Sequence, residues 1–275
     1  MERYFQHQAE LAPKECKWQC PEDCDAPGCW MTEVIVQVNL FDLIRLSLVL
    51  NTAVSGLFLQ HCFIGLENSE IDPRYQRLLI KLKKPCNFLQ KASCRVHGSK
   101  PLNCVLFPEY HQLKGIIPHL VNNPIFKGFP CLRAEIKVSQ ARSKALETIR
   151  AMSCREEALS NQFFFDTPCF ILDSKPLTKL LKQHGLQGPS GSLQDYEQLL
   201  SSVLKPSGFF DGIMDKIYQL DTRPGKESLY EKLGDDDLMK PLLEKLNKPD
   251  SIYRLKGNQF MRLKRTLQPP EVIFM

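Results

Sequence analysis

The sequence predicts a mainly α fold with short strands and irregular metal-binding loops, a cysteine-cluster domain over residues 1–138 joined to a helical accessory region over residues 139–275. Three observations carry that expectation. Apolar residues recur at helical spacing from Leu40, from Pro73, from Ser139 and across residues 192–247. A single short β-branched run, Val34-Ile35-Val36-Gln37-Val38, reads as a strand. Between these stretches, cysteines stand in backbone punctuated by proline and glycine, where neither helix nor strand can run.

The cysteines fall into two groups. The first is Cys16-x3-Cys20-x3-Cys24-x4-Cys29, and the second is Cys86-x7-Cys94-x9-Cys104, with Cys131 following at a longer interval. These eight of the eleven cysteines suffice for two four-thiolate sites, or for one cluster and a structural ion. Thiolates are soft ligands that select zinc, iron-sulfur clusters or cuprous copper, and each must lose its proton to bind.

Composition limits the alternatives. At 275 residues with 43% hydrophobic and 24% charged residues, the chain can bury a substantial core and does not depend on a metal alone to fold. Its net charge of +5 is mildly basic and selects no partner class. The start, Met1-Glu2-Arg3-Tyr4-Phe5, lacks the pattern of a secretory signal, so a cytoplasmic location is expected, where metal or redox chemistry explains many cysteines better than disulfides do. Asp42 and Arg45, then Asn51, Gln60 and His61, interrupt the apolar stretch from Leu40 to Leu66, which reads as buried helices and not as a membrane span.

In chain order, residues 1–33 read as a loop held by something other than a core, with Pro21, Pro27 and Gly28 between the thiols and Trp18 and Trp30 beside them. After the strand, Asn39 is a helix N-cap with Asp42 in the first turn. A second helix is predicted from Pro73 to about Lys83, with Leu78, Leu79 and Leu82 on one face and Arg74, Arg77, Lys81 and Lys83 on another. Ser139 opens a helix through Ala145, Ile149 and Met152. Pro168 breaks the apolar stretch 162–172, Gly185 to Gly191 reads as a hinge, and amphipathic helices follow near 192–204, 207–220 and 227–247. The basic run Arg254, Lys256, Arg262, Lys264 and Arg265 reads as a solvated face.

The order of elements resembles a known family. Asp42-Leu43-Ile44-Arg45, the Cys86-Asn87-Phe88-Leu89 element, Ser93-Cys94-Arg95-Val96-His97 and Lys100-Pro101-Leu102-Asn103-Cys104-Val105-Leu106-Phe107-Pro108 are similar to successive elements of the YkgJ-type CxxCxxCC cysteine-cluster proteins, a zinc- or iron-chelating domain, over residues 16–135. The N-terminal thiols are spread more widely than in that family. His97, Lys100 and Val105 stand where it has Tyr, Arg and Arg, so any function of those arginines does not carry over.

The metal ligands expected are Cys16, Cys20, Cys24, Cys29, Cys86, Cys94, Cys104 and Cys131, holding zinc or an iron-sulfur cluster. Cys62, Cys154 and Cys169 sit in apolar contexts and read as core thiols; His97 and His111 bracket Cys104 as alternative ligands. The first three cysteines come within one residue of the spacing in radical S-adenosylmethionine enzymes, but a fourth thiol and the absence of barrel-like strand and helix alternation argue against that chemistry. The function expected is a metal-binding protein that acts in redox or assembly work or holds a protein partner. The alternative is an iron-sulfur-dependent modifying enzyme resembling flagellin lysine N-methylase. Nucleic acid ranks below both, on the expectation that the basic residues do not cluster near the thiols.

Overall fold

The computed structural model describes residues 1–11, 25–32, 34, 36–69, 75–91, 93–115, 122–133, 138–173, 179, 208–256 and 259–264. The fold is mixed α/β, not mainly α. Among the described residues eleven α-helices accompany a five-stranded mixed sheet and a two-stranded one. The five-stranded sheet runs β1 (Cys62–Asn68), β2 (Tyr75–Leu82), β5 (Ile171–Asp173), β6 (Ser251–Lys256) and β7 (Gln259–Lys264) in that spatial order. Only the β5 and β6 pairing is parallel. The small sheet pairs β3 (Leu89–Gln90) with β4 (Ser93–Cys94).

Two misread segments account for the difference. The helix expected from Pro73 is strand β2, because Leu78, Leu79, Ile80 and Leu82 are all buried, and a continuous apolar run is what a central strand covered on both faces requires. Lys81, 1% exposed, is kept inside by donating its Nζ proton to the Leu66 carbonyl (2.9 Å). Its stem crosses Gly65 so closely that a Cβ there would meet Lys81 Cδ at 2.8 Å. The second is the basic tail, whose Arg254, Lys256 and Arg262 are exposed as a solvated face should be but stand on two strands that were not anticipated. Tyr253-Arg254-Leu255-Lys256 and Met261-Arg262-Leu263-Lys264 alternate with period two and form the β6–β7 hairpin, and Gly257-Asn258 between the two runs was the hairpin signal in the sequence.

The strand expected at Val34–Val38 is reduced to one bridge, Gln37 to Lys81, flanked by hydrogen bonds from Val38 N–H to Ile80 O and from Leu82 N–H to Val36 O. It thus shares one edge of β2 with β5, which pairs with Tyr75, Gln76 and Arg77. Helix α3 (Leu40–Leu50) starts as anticipated: Asn39 accepts the Asp42 N–H (2.9 Å) and Asp42 accepts the Asn39 N–H (3.1 Å). Helix α4 (Val54–His61) then turns the chain into β1.

The helical layer is built on α8 (Gln140–Phe165), capped by Ser139, whose hydroxyl accepts the Arg142 N–H (3.2 Å). Helices α1 (Glu2–Leu11), α3, α5 (Leu102–Leu106), α6 (Glu109–Leu113), α9 (Phe209–Gln219), α10 (Arg223–Gly234) and α11 (Asp236–Asn247) pack on it. Asp235 caps α11, so the three-aspartate stretch is a helix start. The helix expected near 192–204 lies outside the described residues. No single described helix is long and apolar enough to cross a membrane.

The middle of α8 is polar and buried, and its side chains reach named partners. Glu156 accepts from Tyr4 Oη (2.6 Å) and Asn39 Nδ2 (2.9 Å), Ser160 accepts the Leu40 N–H (2.9 Å), and Asn161 donates to the Pro168 carbonyl (2.9 Å). Beside it, Asp42 and Arg45 pair at 2.6 Å.

Candidate metal centre

Four cysteines from four separate segments converge. Cys29 lies on the short helix α2 (Pro27–Trp30), and its carbonyl accepts the Cys86 N–H at 2.7 Å. From Cys86 the chain turns at once, with Leu89 N–H bonded to the Cys86 carbonyl (2.9 Å), and the β3–β4 pairing brings Cys94 opposite Leu89. Cys104 is on α5, near enough to Cys29 and Lys84 for both to act on its thiol.

The start of α5 is fixed from α3. Asp42 accepts the Leu102 N–H (3.0 Å), while Arg45 donates to the carbonyls of Lys100 (3.0 Å) and Ser99 (3.4 Å). The buried Asp42–Arg45 pair therefore holds residues 99–102, and with them Lys100 and Cys104. Burial pushes Asp42 up from the ordinary carboxylate range, and Arg45 with the Asn39 and Leu102 N–H groups pulls it back.

The thiols sense one another. Burial raises Cys29, opposed by Lys84, and the proximity of Cys86 and Cys94 raises it further. Burial also raises Cys94, where a hydrogen bond from the Val96 backbone works the other way. Cys104 is pushed up to about 12 by burial, with Lys84 and Lys100 opposing and Cys29 contributing. Lys84 is anchored by donating to the Gly28 carbonyl. Among the described residues, no carboxylate pairs with Lys84 or Lys100.

The remaining expected ligands divide. Cys131, on α7 (Pro130–Arg133), is buried in a cluster with Phe129 and Leu132 against which Met31 and Phe107 pack. Phe129 lies 3.4 Å from where a side chain on Gly28 would begin, so this cluster abuts α2. Cys16, Cys20 and Cys24 lie outside the described residues. Among the described residues no three Cys, His, Asp or Glu side chains stand close enough to grip one ion.

In kind the nearby side chains are thiols with lysines beside them, and Asp42, which also acts on Cys104, is paired with Arg45. His97 is exposed, and Lys100 followed by burial holds it low. His111 packs against Phe107 and Tyr110, with Nδ1 buried and unpartnered among the described residues. Cys62 and Cys169 are core thiols as expected, and Cys154 is half-buried.

Sequence reasoning overlooked the lysines. Residues 73–108 contain eight Lys and Arg and no Asp or Glu, a local bias hidden by the modest net charge of the whole chain. The expectation that basic residues avoid the thiols is therefore corrected by Lys84 and Lys100. No known protein family, no curated protein and no solved structure matches this chain. The likeness to YkgJ-type proteins rests on the sequence elements quoted for it.

Proposed function

We propose that this is a thiolate metal-binding protein, holding zinc or an iron-sulfur cluster, with Cys29, Cys86, Cys94 and Cys104 as the centre of its ligand set. Cys16, Cys20, Cys24 and Cys131 are the further thiols of that set. The observation that carries this reading is the meeting of Cys29 and Cys86 through a backbone hydrogen bond beside two lysines that have no carboxylate among the described residues. A closed four-thiolate site carries a charge of about −2 around zinc, and the same around an oxidised four-iron cluster. Lys84 and Lys100 supply the matching positive charge. Without a metal the Cys104 thiol, pushed up to about 12 by burial, stays protonated, and loading would release its proton.

When bound, zinc would cross-link the four segments, and an iron-sulfur cluster would add electron transfer. The chain's own part is to aim the thiols, exclude water with Phe88, Phe107 and Phe129, and balance charge. Anaerobic purification followed by elemental analysis and absorption spectroscopy tests this. Bound zinc or iron, lost in Cys86→Ser and in Cys104→Ser but retained in Cys62→Ser, is the expected outcome. Equal metal content in all three variants refutes the ligand assignment, and brown protein absorbing near about 400 nm selects iron-sulfur over zinc.

A further inference from the structure

A basic and aromatic face surrounds the thiols. Lys83 donates its backbone N–H to the His61 carbonyl (2.8 Å), and Arg95 donates its own to Phe88 O (2.8 Å). The His61 ring lies 4.7 Å from that of Phe88, so Lys83, His61 and Arg95 are neighbours on one surface. The His61 ring is half-buried with its Nδ1 hydrogen-bonded to Asn87 Nδ2 (3.0 Å), Lys83 Nζ donates to the nearby Leu59 carbonyl (2.9 Å), and burial, then Arg95 and Lys83, hold the ring below its ordinary range. On the other side Lys84 reaches Gly28, two residues before Trp30, and Trp30 is 45% exposed. Lys100, whose carbonyl accepts from Arg45 (3.0 Å), is near enough to Cys94 and Cys104 to pull both thiols down. None of these four cations pairs with a carboxylate among the described residues.

We propose that this face binds single-stranded nucleic acid, with phosphates held by Lys83, Lys84, Arg95 and Lys100 and bases stacked on Trp30 and the His61 ring. Cations spread over one surface with exposed flat rings between them are how proteins track a single strand without reading its sequence. An acidic protein would use the cations and leave the rings idle. The thiol centre, when loaded, neutralises part of Lys84 and Lys100, which leaves Lys83 and Arg95 as the dominant phosphate contacts.

The test is fluorescence anisotropy of the full chain with a labelled oligothymidine of about 20 nucleotides across a salt series. Binding weakens as salt rises. The double variant Lys83→Gln, Arg95→Gln lowers the salt slope by about 1.4, from about 0.7 per phosphate contact on a single strand. Trp30→Ala weakens binding about tenfold, and Trp30→Phe restores most of it. Lys256→Gln is the control: β6 runs opposite to β2, so Lys256 lies beyond the end of the sheet where β2 begins, while Lys83 follows the end where it stops.

Absence of binding at low salt overturns the proposal. So does equal competition by polyglutamate with an unchanged Trp30→Ala variant, which would assign the face to an acidic protein. Circular dichroism of each variant confirms folding. Metal content in the same preparations keeps this question separate from the thiol-centre reading, since a strand-binding protein without metal, or the reverse, fails only one of them.

Discussion

Two polar regions are linked through Arg45, and they are built on opposite principles. Around Glu156 the protein satisfies itself: Tyr4 and Asn39 donate to one carboxylate, and Arg45 together with the Asn39 and Leu102 backbone N–H groups donates to the other, Asp42. Around Cys29 the side chains are thiols and cations, with no anion paired to the lysines among the described residues. Arg45 joins the two regions by donating to both Asp42 and the Lys100 carbonyl. The contrast teaches that, among the described residues, one region answers its carboxylates from within the fold, with the buried Tyr230 hydroxyl left without a partner, whereas the other leaves Lys84 and Lys100 without a paired carboxylate.

That difference can be broken experimentally, and the largest effect belongs to the carboxylate network. Arg45→Met leaves Asp42 buried without its cation and releases residues 99–102. It should lower stability by about 3–5 kcal/mol in chemical denaturation, the usual consequence of stranding a buried charge. A loss under 1 kcal/mol would mean that the network is not closed as described.

Next in size is a pH effect at Glu156. Burial first, then the nearby Asp42, raises its carboxyl to about 7, while Arg45, Tyr4 and Asn39 pull it down. A group whose folded value is raised holds its proton more tightly when folded. Its stabilisation is full below the ordinary carboxylate range and is lost as pH rises through about 7. The wild-type protein should therefore lose stability between about pH 4.5 and 7 relative to Glu156→Gln, by on the order of 2–3 kcal/mol. Parallel stability curves for the two proteins would show that Glu156 ionises normally. Tyr4, pushed up by burial and by Glu156, stays a donor throughout.

A steric test comes third. Gly65→Ala drives a methyl into Lys81 Cδ and Phe63 Cε2, and should cost about 1–3 kcal/mol by thermal melting, because the crowded neighbours are themselves buried. The smallest effect sharpens the comparison most. Lys100→Met should change the stability of metal-free protein by no more than about 0.5 kcal/mol, since the lysine has no anion there to lose. In the same variant metal retention against a chelator should fall. A large loss of stability without metal would mean that Lys100 serves the fold and not the thiols.

Local signals were legible where a short motif suffices. The Asn39 and Ser139 caps, the helix from Leu40 and the burial of Cys62 and Cys169 all follow from neighbouring residues. Strand β2 was not legible, because a run of Leu and Ile between cations fits a helix face as well as a doubly covered strand, and only the presence of β1 and β5 decides. The β6–β7 hairpin was concealed by its basic residues, although the Gly257-Asn258 pair pointed to it. Within the candidate site the cysteines stood out by spacing. Lys84 and Lys100 looked like any solvated lysine until folding set them beside thiols.

The sequence by itself determined that cysteines recur in two groups among prolines, because residue type and spacing are properties of the chain, but not that Cys29, Cys104 and Cys131 sit on short helices and Cys94 on a strand. Tertiary structure decided which of them meet. The Cys29 and Cys86 segments, separated by α3, α4, β1 and β2, join through one backbone hydrogen bond, and the Asp42–Arg45 pair brings Lys100 and Cys104 alongside. Convergence of this kind depends on burial and hydrogen bonding between distant segments, and no local pattern encodes it.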